Sequence, residues 1–238
     1  DEARKFFDKE GGLTNTRKVM DESLSHDEVL WGKVLELGWT GIRIPEEYDG
    51  LGLGHLELCV IAEEIGRALA PIPFSSSVYL FTEAVIKYGS DEVKKNILPK
   101  LVTGEVVGTY AVAEDMSAIT ESTLSCSVEG NSVTGTKIAV PDAELATHAV
   151  VLVKGSKGPE LRLVDLNSDG VEVSLQKNLD KSRSFYKVAF NNAQSSLLGD
   201  QGSGWKSHVH IMDQAAVLFA FEQVGGSQQA LDMAKEYA

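Results

Sequence analysis

An α+β fold is predicted, with an all-helical N-terminal domain, an antiparallel β-barrel-like domain and the first long helix of a C-terminal helical bundle. Three textures of the sequence predict it. Apolar residues recur at spacings of three and four up to about Val107, alternate in short runs from Gly108, and return to helical spacing from Lys206 to Ala238. The units expected are residues 1–107, 108–198 and 199–238, the last of them incomplete.

The elements follow in order. "SHDEVLWGKVLELG" places Val29, Leu30, Val34 and Leu37 on a helix that stops at Gly38. The next stretch, "GWTGIRIPEEYDGLGLG", is a tight reversal: Pro45 stiffens it, Asp49-Gly50 turns it, and Gly52 and Gly54 reach backbone angles that a Cβ resists. A phosphate-cradling glycine loop should follow a strand and open a helix, whereas a helix precedes this one, so its role is structural. Leu58, Ile61, Ala62, Ile65 and Leu69 then form one apolar stripe, ended by Pro71 and Pro73. "SSSVYLFTEAVIKYG" is a further helix, with Ser75-Ser76-Ser77 read as a loop or cap cluster that has no base or orienting acid beside it. Ser90 caps the following helix, and Asp91 and Glu92 complement its dipole.

From Gly108 the runs "LSCSVEGNSVTGTKIAV", "THAVVLVKG", "ELRLVDL", "GVEVSL" and "SFYKVAFNNA" alternate between turn signals such as Glu129-Gly130-Asn131 and Asp169-Gly170. After "LLGDQGSGW" one long helix is expected, bent near Gly225-Gly226.

Composition narrows the function classes. A chain of 238 residues with 43% hydrophobic content can bury a substantial core. Its net charge of -13 argues against nucleic acid, whose recognition needs a basic stripe. No run approaches the roughly 20 apolar residues of a membrane span, and "DEARKFFDKE" lacks the apolar core of a signal peptide, so a cytoplasmic location is expected. Cys59 and Cys126 read as free thiols. His208 and His210 diverge around a helix, and His26, His55 and His148 are isolated, so no metal site is expected.

Three phrases carry a resemblance. "LGWTGIRIPEEYDGLGLG", "YGSDEVKKNILPKLVTGEVVGTYAVAE" and "VAFNNAQSSLLGDQGSGW" resemble the early turn, the lead into the β domain, and the exit strand and loop of the acyl-CoA dehydrogenase family. The resemblance implies an FAD-dependent oxidoreductase that removes the α and β hydrogens of an acyl-CoA thioester and passes electrons to an electron-transfer acceptor. It also implies a homo- or hetero-oligomer. Tyr110, Ala111, Val112 and Ala113 match the stretch beside the flavin, Trp205 matches an aromatic of the thioester channel, and Asp213 matches an acid near the CoA moiety. The family's catalytic glutamate is expected beyond Ala238, so no residue of this sequence is assigned as the base.

The sequence departs from that pattern at four places. Ala113 replaces a threonine, the Pro-x-Ala-Gly-Ser-Asp run after Glu114 is absent, and Ala139 and Pro141 stand where relatives carry Trp-x-Thr or Trp-x-Ser. Ala216 replaces a common arginine on the long helix. These changes support a second expectation, a flavin-poor subunit that completes a heteromeric enzyme.

Overall fold

The computed structural model describes residues 2–238. Helices α1 (Glu2–Glu10), α2 (Leu13–Glu22) and α3 (Glu28–Glu36) precede two short 3-10 turns, Trp39–Gly41 and Glu46–Tyr48, and helix α4 (His55–Ala68). A π-helix (Ser75–Thr82) runs into α5 (Glu83–Tyr88), and α6 (Asp91–Thr103) closes the helical part. Seven strands follow: β1 (Gly108–Ala111), β2 (Ser127–Glu129), β3 (Ser132–Pro141), β4 (His148–Gly155), β5 (Gly158–Asp165), β6 (Val171–Gln176) and β7 (Phe185–Leu198). The last element is α7 (Gly204–Tyr237).

The caps behave as the sequence dictates. Asp27 accepts from Leu30 N at 3.0 Å to start α3, Ser90 accepts from Val93 N at 3.3 Å to start α6, and Glu57 reaches back to Gly54 N at 2.9 Å at the start of α4.

The strands curl into a closed path, β4–β5–β7–β3–β2 and back to β4 through Ser127 and Lys154. Strand β6 adds to β7, and β1 adds to β4 in a parallel register that pairs Gly108 with His148 and Ala111 with Val151. Because β4 has neighbours on both faces, it reads as a continuous apolar run. Ala149, Val151 and Val153 fill the barrel, while Val150 and Leu152 join the helical core.

Several expectations change. On α3 the buried residues are Leu30, Trp31 and Val34, while Val29 and Leu37 are exposed, so the apolar face is rotated by one residue to admit the tryptophan. Leu69 does not extend the α4 stripe. It is the left-handed C-cap at φ 49° and half exposed, and the helix has already ended at Ala68. The three serines are neither loop nor cap. They are buried in the π-helix and pinned to three parts of the β domain: Ser75 Oγ accepts from Arg183 at 2.6 Å, Ser76 Oγ donates to Asp142 at 2.6 Å, and Ser77 Oγ accepts from Gly108 N at 3.1 Å.

Helix α7 runs unbroken through Gly225-Gly226. Its glycine serves packing instead: a Cβ on Gly225 would lie 1.9 Å from Glu63 O, and one on Gly66 1.9 Å from Glu222 O, so α4 and α7 touch backbone to backbone. Outward on α7, Val209, Met212, Val217, Val224, Leu231 and Met233 are exposed, whereas Leu218 is buried.

Candidate functional site at the head of α7

Strand β1 brings its alternate residues to two different environments. Ala111 packs inside the barrel and Tyr110 faces the helical core. The strand is held close to the π-helix by Gly108, where a Cβ would overlap the Phe81 ring at 2.0 Å. Across this junction α7 begins. The Tyr110 hydroxyl lies 3.3 Å from His208 Nδ1, and the two rings run nearly parallel, 18° apart with centroids at 5.9 Å. One helical turn earlier, the Trp205 ring lies 5.5 Å from the same imidazole. Burial, with help from the Lys137 charge, holds His208 down to about 4, so the ring is neutral at physiological pH. Burial pushes the Tyr110 phenol up, so it too is neutral.

Behind this group sits an ion pair. Lys137 is fully buried, and its Nζ donates to Glu114 Oε1 at 2.7 Å and to Val112 O at 2.9 Å. Glu114 also accepts from Ser125 N and Oγ at 2.7 and 2.6 Å and from Cys126 N at 3.0 Å. Burial alone would push the Glu114 carboxyl up, but the Lys137 and Ser125 hydrogen bonds outweigh it and hold the carboxyl below its ordinary range. Burial lowers Lys137, and Glu114 opposes that shift. A buried charge satisfied this fully stays charged and fixes the chain after β1.

The residues singled out in the sequence separate into two sets. Tyr110 and Trp205 meet through His208. Asp213 is exposed farther along α7 and does not join them. The Ala111 side chain is sealed in the barrel. Val112 O is taken by Lys137, and Ala113 O accepts from Ile138 N at 2.8 Å. Ala139, at φ 49°, donates its N–H to Gln176 Oε1 at 2.7 Å. His208, Lys137 and Glu114 were missed. For His208 a signal existed, since it lies three residues after Trp205 on a predicted helix and so shares its face.

An FAD ring along this frame would be held through backbone N–H groups such as those of Ala113 and Glu114, and would find little else there. The Val112 and Ala113 carbonyls and the Ala139 N–H are engaged within the chain, and Ala113, Ala139 and Pro141 carry neither hydroxyl nor aromatic surface. Among the described residues, the buried side-chain polar atoms that lack a partner lie elsewhere, on His55, Arg67, Tyr79, Glu83, Gln214 and Glu222.

Residues 1–105 match the acyl-CoA dehydrogenase N-terminal domain. A potato mitochondrial isovaleryl-CoA dehydrogenase is 31% identical over 89% of this chain and 55% of its own length. The pig mitochondrial short-chain specific acyl-CoA dehydrogenase is 28% identical over 99% of this chain and 60% of its own. The butyryl-CoA dehydrogenase of Megasphaera elsdenii, at 21% identity, shares the fold with a TM-score of 0.87 over 99% of this chain and 66% of its own. The matched N-terminal residues are those of an acyl-CoA dehydrogenase domain, and the chain as a whole is similar to acyl-CoA dehydrogenases. It spans a little over half the length of the curated relatives it matches. Among the described residues no helix is long and apolar enough to cross a membrane.

Proposed function

We propose that the protein is an acyl-CoA dehydrogenase-like oxidoreductase that removes the α and β hydrogens of an acyl-CoA thioester, with FAD as redox cofactor and an electron-transfer acceptor as partner. The observation that carries this reading is the meeting of Tyr110 and Trp205 at one junction, in a chain that aligns along nearly its whole length with acyl-CoA dehydrogenases. The reading assigns Trp205 to the substrate channel, keeps Asp213 as a contact to the CoA portion, and gives the stretch Tyr110 to Ala113 to the flavin edge. Binding pockets favour such junctions between domains. On this reading the residues of the chain bind and orient the thioester and exclude water from it.

A second reading is favoured by the engaged backbone at Val112, Ala113 and Ala139. In it the chain is the flavin-poor member of a hetero-oligomer whose partner supplies the flavin, and the exposed apolar side chains of α7 lie under cover in the assembly.

Flavin content and acyl-CoA-dependent reduction of an artificial electron acceptor, measured on the complete protein alone and with its co-purifying partners, test the two readings. Activity with near-stoichiometric flavin in the protein alone supports the first, and activity only in the mixed complex supports the second. No acyl-CoA-dependent reduction in either preparation overturns both.

A further inference from the structure

The Tyr110 hydroxyl is buried, and its proton needs an acceptor. Among the described residues the acceptor within reach is His208 Nδ1, so the phenol donates and Nδ1 keeps its lone pair. The neutral imidazole then carries its proton on Nε2. That N–H has no hydrogen-bond partner among the described residues, and it is not among the sealed, unpartnered atoms of the interior. The structure therefore holds a donor of fixed tautomer at the head of α7, on a ring packed against the half-buried Trp205. A metal ion would need the Nε2 lone pair, which the tautomer removes. The nearby Lys137 ammonium is engaged by Glu114 and Val112 O, so it is not free to pair with an anion. What fits is an uncharged acceptor with apolar flanks.

We propose that His208 is a substrate-contacting residue whose Nε2–H donates to a carbonyl oxygen of the bound acyl-CoA lying along Trp205. This rests on the acyl-CoA reading above. The carbonyl belongs either to the thioester or to an amide of the pantetheine arm. Tyr110 is the positioning residue behind it, because it fixes the tautomer and ring plane of His208.

The test is titration of the complete protein, or the complete complex, with butyryl-CoA and with free CoA, which has the amides but no thioester. His208→Phe keeps the ring packing and removes the donor, and His208→Gln restores a donor on a shorter side chain. His208→Phe is expected to raise the Kd for butyryl-CoA roughly five- to tenfold, the worth of one hydrogen bond, and His208→Gln to recover most of it. A parallel loss for free CoA assigns the contact to the pantetheine amide, and an unchanged free-CoA affinity assigns it to the thioester. Thermal melts and the nitrogen-15 shift of Nε2 control for a packing role. A melt shift without an affinity change, or an Nε2 signal that does not move on adding butyryl-CoA, overturns the proposal. If the wild-type protein binds butyryl-CoA and His208→Phe binds it equally well, this inference alone falls. If the wild-type protein binds none, the acyl-CoA reading falls and takes the inference with it.

Discussion

At its head α7 meets the β domain through side-chain chemistry, a tyrosine hydroxyl shared with a neutral imidazole and an indole packed beside it. In its middle the same helix meets α4 through shape, with Gly66 and Gly225 letting one backbone rest on the other. The first kind of contact depends on protonation and can be completed by a ligand. The second is indifferent to pH and to ligands, and tolerates almost no added volume. The difference teaches that one helix can be anchored rigidly at one point and left responsive at another.

The shape contact breaks most severely. Gly225→Ala drives a methyl into the Glu63 carbonyl, where relief requires backbone movement, so a loss of about 3 kcal/mol, the upper part of the usual overpacking range, is expected in urea unfolding. Wild-type stability for Gly225→Ala would show that the two helices are not in backbone contact.

The chemical contact shows itself in acid. The folded state holds His208 neutral down to about 4, while the unfolded chain takes up a proton near the usual histidine value of roughly 6.5. Between those values the unfolded state binds the extra proton. The contribution is therefore present above about pH 6.5 and is lost as the pH falls toward 4, to the extent of about 2–3 kcal/mol. Burial also lowers His26, His55 and His148, so they add to the slope, and His208 is isolated by difference. His208→Phe should flatten the fall in stability between pH 6.5 and 4 by that amount. Parallel wild-type and variant profiles would place the imidazole in water.

The smallest effect sharpens the comparison. Gly226 stands next to Gly225, yet a Cβ there meets Gly66 O at an ordinary 3.4 Å. Gly226→Ala should stabilise the fold slightly in urea unfolding, by up to about 1 kcal/mol of helix propensity. A loss as large as that at Gly225 would mean that the whole Gly-Gly step, and not one position, carries the contact.

These contrasts also mark what the sequence could reveal. Helical and β textures were legible because burial imposes its period on whole segments, and Leu58, Ile61, Ala62 and Ile65 show it plainly. Residues at segment ends were misread, as at Val29, Leu37 and Leu69, because there the chain turns away from the face that periodicity describes. The Gly225 contact was read as a bend because nothing local distinguishes a glycine that kinks a helix from one that admits another helix. At the candidate site Trp205 and Tyr110 were visible through family likeness. His208 was set aside with His210, because a His-x-His metal pair fails on a helix where the two imidazoles diverge, although Trp205 lies one turn before it on the same face. The buried Lys137–Glu114 pair needed the barrel to close before its members could meet.

The three serines of the π-helix have a consequence for how the chain assembles. Ser77, Ser76 and Ser75 find partners 31, 66 and 108 positions away, so three adjacent residues close three nested loops of increasing length. Each closure costs chain entropy before its hydrogen bond can repay it, and pairings of this separation slow folding. The helical domain therefore completes the polar contacts of its π-helix only together with the barrel. The π-helix reaches its final bonding only when β1, the end of β3 and the approach to β7 are in place.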